Sequence, residues 1–208
     1  MKDLGLLALR VTTGGLLAGH GAQKLFGKFG GHGLEGTGGF MESLGMKPGQ
    51  QWAMLAGGSE FAGGVLTALG LLSPIGPITM LAPMAMATGT VHRGKPIWGS
   101  EGGAELPVSN MAVAAALALS GPGKISLDSL LGIRVPKTLT MLVALGTAAG
   151  IGYGLKTHLD AQQAQQDADD EAQQGEGDAE PVPAQTDGAR MHEGLDATLA
   201  ESSRPAPG

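Results

Sequence analysis

The chain has 208 residues, a net charge of −6, 42% hydrophobic and 3% aromatic residues, and no cysteine. A disulfide framework, a Cys-ligated metal, a CxxC redox pair and a thiolate nucleophile are therefore excluded, and aromatics this sparse do not make a base-stacking surface for nucleic acid. The net charge averages two unlike segments: residues 160–208 hold 12 acidic and two basic side chains, a net of −10, whereas residues 1–159 hold 11 basic and seven acidic ones, a net of +4.

Residues 4–22 are apolar apart from Arg10, Thr12, Thr13 and His20. Lys2 and the apolar run resemble a signal peptide, but Arg10 interrupts the run and no A-x-A site follows, so the segment reads as an uncleaved first helix. Within it, Gly15-x-x-x-Gly19 suits internal helix packing. Residues 23–51 are rich in glycine and include Gly31-His32-Gly33-Leu34-Glu35-Gly36. That string fits G-x-G-x-x-G literally, but no strand precedes it, so a tight surface loop is the better reading than a dinucleotide site. A short amphipathic, interfacial or re-entrant piece follows near residues 40–44.

Residues 52–72 are apolar apart from Ser59, Glu60 and Thr67. The turn at residues 73–77 makes the next segment, residues 75–91, an antiparallel neighbour. Residues 92–105 form a polar loop, and residues 106–122 a fourth apolar segment that Gly121-Pro122-Gly123 ends abruptly. Residues 124–136 read as an interfacial connector, and residues 138–155 as a fifth uncharged segment. Here Gly146-x-x-x-Gly150-x-x-x-Gly154 puts three glycines on one helix face, for packing on the chain's own bundle or on a neighbouring helix.

An apolar helix needs about 17–25 residues to cross a bilayer core of about 30 Å. Each of the five segments reaches that range or its lower edge, and none has the charged outer face of a soluble bundle helix. The expected fold is all-α: a transmembrane four-helix bundle over residues 1–132, one additional C-terminal transmembrane helix in residues 133–159, and a disordered acidic tail over residues 160–208. A helical extension through residues 161–174 is compatible with their Ala, Gln and Glu content. Lys and Arg are divided too evenly between the two faces to fix the orientation.

Counting helix rise from the ends puts Arg10 and Glu60 within about 6 Å of the same depth. An Arg10–Glu60 ion pair is expected, because either ion alone in hydrocarbon costs about 2.5–3.5 kcal/mol. His20, Gln23, Lys24, His92 and Glu105 come to one face from three helices and form a polar mouth with Glu60 below it. Three readings stay open: a hydrated interface, a quinone or small-ligand pocket, and a proton relay or metal site. The metal reading has no local ligand motif behind it, and no metal is assigned.

The run Arg10 … His20-Gly21-x-Gln23-Lys24-Leu25-Phe26-Gly27 with its Gly-rich loop resembles the DoxX family. So do Glu60 before Gly63-Gly64 and Leu69-Gly70, His92 with Gly94, Glu105 opening the fourth segment, and Gly121-Pro122-Gly123-Lys124-Ile125-Ser126-Leu127-Asp128. The resemblance covers residues 4–132 and implies a four-helix, multi-pass protein of the plasma (inner) membrane. The family's founding members are subunits of a thiosulfate:quinone oxidoreductase. The implied role is therefore an accessory subunit of a redox or quinone-linked complex, and at most a subunit of an enzyme. Under that reading Arg10, His20, Gln23, Lys24, Glu60, His92 and Glu105 line a quinone or ligand pocket. No intrinsic cofactor is expected, and quinone is the group the site would take. The expected partners are the lipid bilayer and either protein subunits or further copies of the chain, with no nucleic acid. Two rival roles remain: a membrane anchor recruiting a soluble partner through its acidic tail, and a small-molecule carrier.

Overall fold

The computed structural model describes residues 1–177, and side chains through residue 174. Seven α-helices lie in this range: α1 (Lys2–Phe26), α2 (Gly33–Ser43), α3 (Gly49–Leu69), α4 (Ile75–Thr90), α5 (Glu105–Ser120), α6 (Leu127–Leu131) and α7 (Lys137–Gly177). Residues Met1–Gln166 form one compact unit. The second unit, Asp167–Gly208, is described only over residues 167–177, which are helical.

Four of the apolar segments become α1, α3, α4 and α5, and these pack in a ring: α1 on α3, α3 on α4, α4 on α5, and α5 back on α1. Their ends follow local chemistry. Gly27 and Gly70 close α1 and α3 in the left-handed region, at φ 64° and 63°, where a side chain would be strained. Ser126 caps α6 by accepting from the Ser129 N–H at 3.2 Å. The core brings Leu17 of α1, Met80 and Met84 of α4 and Ala114 of α5 together.

The α1–α3 contact sets the register of the bundle. A Cβ on Gly14 would stand 2.6 Å from backbone atoms of Gly64 and Ala68, and one on Gly64 would stand 2.5 Å from the Ala18 nitrogen. Gly21 meets the backbone of Gly57 and Phe61 in the same way. Side chains at these positions would force the helices apart, so glycine permits a backbone-to-backbone approach. Gly15 and Gly19, the pair expected to pack internally, have open space at their Cβ positions. They are one and two residues out of phase with the contact face.

Residues 33–43 form a full helix rather than a short piece at residues 40–44, and α2 packs on α3 and α1. The fifth apolar segment is the first half of α7. Among the described residues, α7 is the one helix long and apolar enough to cross a membrane by itself, and α5 is a shorter apolar helix. The acidic segment begins as helix rather than as disordered chain, as its helix-favouring residues allowed. Lys156 and Asp160 pair at 2.5 Å across one turn. Residues 178–208, the rest of the expected tail, lie outside the described residues.

Candidate functional site

The polar residues expected to share one mouth divide into three groups. The first joins α1 to α3. Lys24 Nζ forms an ion pair with Glu60 Oε2 in the last turn of α1. The Glu60 side chain is 2% exposed and that of Lys24 31% exposed, so the carboxylate is buried and its cation reaches the surface. His20 Nδ1 donates to Gln23 Oε1 at 2.9 Å, and Gln23 Nε2 donates to the Phe29 carbonyl at 3.1 Å, which fixes the loop after α1.

Arg10 belongs to a second group, fourteen residues or about 21 Å away along α1. Its Nη1 donates to the carbonyls of Thr67 and Ala68 at 3.4 and 3.2 Å, and its Nη2 donates to the carbonyl of Ile125. These acceptors include the open carbonyl end of α3, where a cation is favoured. Asp128 completes the group by accepting from the backbone N–H of Leu72 and Ser73 at 2.8 and 2.7 Å.

The expected Arg10–Glu60 pair is therefore not formed. Gly21 meeting Gly57 and Phe61 places Glu60 level with residue 20 of α1. Arg10 is ten residues, about 15 Å, from that level. The facing ends of the two helices are not level: in this register Phe26, the last residue of α1, stands opposite Met54, five residues inside α3, so depths counted from the ends do not compare.

The third group is local to the α4–α5 loop. His92 Nδ1 donates to the Gly102 carbonyl at 2.6 Å, and Glu105 Oε2 accepts from the Gly99 N–H at 2.9 Å. Both side chains are occupied in shaping their own loop, and among the described residues no hydrogen bond joins them to Lys24 or Glu60. No group of three or more His, Asp or Glu side chains among the described residues is arranged to hold a metal ion.

Beside the Lys24–Glu60 pair lies a cavity of about 400 Å³. Its walls are Phe40 and Met41 of α2, Trp52, Leu55, Ala56 and Ser59 of α3, Pro83, Met86, Ala87 and Thr90 of α4, and Gly146, Thr147 and Gly150 of α7. Lys24 and Glu60 supply its only charged groups. A smaller hollow of about 280 Å³, lined by Gln23, Lys24, His32 and Thr37 among others, shares Lys24 and Phe40 with it. The arrangement is a mostly apolar chamber with one charged patch, suited to an amphiphile with a small polar head.

Of the three α7 glycines, only Gly154 is a packing position. A Cβ there would stand 2.8 Å from Met86 Cε and 3.3 Å from the Trp52 ring, whereas Gly146 and Gly150 have open space. Sequence reasoning missed His158. It is 2% exposed, and its Nδ1 donates to the Leu44 carbonyl at 2.7 Å, while its Nε2 is buried without a partner. The signal was available: His158 follows Gly146, Gly150 and Gly154 at the same four-residue interval, on the face that meets the bundle.

Comparison with protein families matches residues 5–93 to DoxX. Residues 5–93 are a DoxX domain. The DoxX family is one of integral membrane proteins. The domain comprises α1 to α4 and contains Arg10, His20, Gln23, Lys24, Glu60 and His92. Glu105, the run from Gly121 to Asp128, and α7 with its glycines lie beyond it. The Lys24–Glu60 pair is thus internal to the DoxX domain, and the chamber beside it is closed by α7 from outside the domain. No curated protein and no solved structure matches the chain.

Proposed function

We propose that the chain is a multi-pass membrane protein that binds a quinone-type molecule beside the Lys24–Glu60 pair, as an accessory subunit of a redox or quinone-linked complex. The multi-pass part is supported by the outward faces of the bundle. Leu4, Leu9, Val11 and Leu16 of α1, Met54 and Leu55 of α3, and Leu106, Val108 and Leu119 of α5 are all exposed. Each large apolar side chain left in water forgoes about 1.5–3 kcal/mol of burial, so a surface this apolar calls for lipid. The lengths agree: 25 residues in α1 and 21 in α3 correspond to about 37 and 32 Å. The 16-residue α4 and α5 are shorter, about 24 Å each.

The observation that carries the ligand reading is the buried carboxylate and its ammonium in an otherwise apolar chamber. A quinone carbonyl accepts a hydrogen bond from the ammonium, and a quinol hydroxyl donates to the carboxylate. The ring would occupy the apolar walls beside Trp52 and Met86. The chain shows no haem, flavin or iron–sulfur ligand set in its sequence, so electrons would reach the ligand from a partner subunit.

The test is purification of the full chain from membranes in mild detergent, followed by lipid extraction and chromatography. Quinone is expected near one per chain with the natural sequence, and well below that with the neutral double variant Lys24→Met/Glu60→Gln. Absence of quinone from the natural chain, together with no binding of added decylubiquinone, would sink the reading.

A further inference from the structure

We infer that the chamber takes a chain-bearing ligand sideways from the hydrocarbon, with Gly146 and Gly150 of α7 forming the groove for its apolar chain. This rests on the quinone-type reading above and adds the route and the determinant of specificity.

The packing of α7 is uneven along its length. Over residues 153–158 it is fastened to the bundle. The Tyr153 ring stacks on Trp52 with centroids 5.7 Å apart and planes 18° from parallel. Gly154 receives Met86 and Trp52, Leu155 lies against Gly89, and His158 donates to the Leu44 carbonyl. One to two turns earlier, Gly146 and Gly150 line the chamber with Thr147 and touch nothing at their Cβ positions. Met86 and Ala87 of α4 form part of the same lining. The gap between α7 and α4 is therefore closed by side chains at residues 153–158 and held open where α7 presents glycine.

The polar patch and the open gap call for one kind of molecule. Lys24 and Glu60 offer hydrogen bonds to a small head group, and every other wall is apolar or a neutral hydroxyl. A head group alone would leave most of that apolar wall uncovered, whereas a chain running from the head along the glycine groove covers it and continues into lipid. An isoprenoid or alkyl-chain quinone has this form. A Cβ on either glycine would meet nothing within 4 Å, so a side chain there has room to enter the groove.

The test uses the full-length chain in nanodiscs with Trp98→Phe, which leaves Trp52, a chamber wall, as the sole tryptophan. Quenching of Trp52 reports binding of decylubiquinone and of its chainless counterpart, 2,3-dimethoxy-5-methyl-1,4-benzoquinone, with affinities referred to the concentration in the membrane phase. Decylubiquinone is expected to bind at least tenfold more tightly than the chainless quinone. Gly146→Leu/Gly150→Leu should weaken decylubiquinone at least tenfold, with the chainless affinity and the unfolding temperature unchanged. Gly150→Ala should have a smaller effect in the same direction. Gly152→Leu, also in open space but off the chamber wall, should have none. Equal affinities for the two quinones, or full decylubiquinone affinity in the double leucine variant, would overturn the groove while leaving the head-group reading intact. Failure of both quinones to bind the natural chain would overturn both.

Discussion

Lys24 and Glu60 form an ion pair whose two members see different surroundings, so removing either one should not cost the same. Lys24→Met strands a carboxylate that is 2% exposed, and loss of one partner from a buried pair costs about 3–5 kcal/mol. Glu60→Gln leaves an ammonium on a side chain that is 31% exposed, with a flexible stem that can carry it to water. The glutamine oxygen still accepts a hydrogen bond, so the expected cost is about 1–2 kcal/mol. Lys24→Met/Glu60→Gln removes both charges and should return to within about 1 kcal/mol of the natural chain, since a buried pair and a neutral replacement are often close in stability. Thermal unfolding in detergent, followed by circular dichroism of the helices, reads all four proteins. At about 2–4 °C per kcal/mol for a chain of this size, Lys24→Met should lower the midpoint by about 6–20 °C, and Glu60→Gln by a few degrees. A Glu60→Gln loss equal to that of Lys24→Met would refute the asymmetry. A double variant no more stable than Lys24→Met would refute the pairing itself.

Gly21→Ala places a methyl into the backbone of Gly57 and Phe61 and should destabilise the α1–α3 contact by about 1–3 kcal/mol. Gly15→Ala, facing open space, should be neutral or stabilising by up to about 1 kcal/mol; equal effects of the two would contradict the register. Asp128→Asn keeps one acceptor but turns an NH2 group toward a backbone N–H of Leu72 or Ser73, a loss of about 1.5–3 kcal/mol by the same unfolding assay. If α1, α3, α4, α5 and α7 all cross the membrane, single cysteines at Lys2 and Asp160 should react with an impermeant maleimide from opposite sides of sealed vesicles. Labelling of both from one side would refute five crossings.

The helices were legible because their signals are local. Charge-free runs and the Pro- and Gly-containing turns at residues 73–77 and 121–123 depend on neighbours in sequence, and α1, α3, α4 and α5 fall within about four residues of where those signals put them. The partner of Glu60 was not legible, because it depends on how α1 and α3 slide past each other. A slip of about six residues, just under two turns, exchanges Arg10 for Lys24 as the cation nearer Glu60, and hydropathy does not change along that slide. The glycines that set the register, Gly14 and Gly21, were visible but indistinguishable in composition from Gly15 and Gly19, which face outward. Helix ends bring His92 and Glu105 to one face, but their hydrogen bonds to Gly102 and Gly99 depend on how residues 92–105 fold back on themselves, which no run of apolar residues encodes. The acidic segment read as too polar to fold, yet its first part needs no core, since helix propensity and the Lys156–Asp160 pair act within single turns.

The family match stops at Arg93, but the bonds that close the bundle do not. Arg10 donates to Ile125, 115 residues along the chain, and the N–H groups after α3 are held by Asp128. A fragment cut at the family boundary would keep all four DoxX helices and still carry an under-satisfied guanidinium and two open backbone donors. During synthesis the same holds in time: α1 is made, with Arg10 on it, long before the Ile125 carbonyl that its Nη2 bonds exists. The unit of kinship and the unit of folding are thus different stretches of this chain, and the second cannot be complete until α6 has been added.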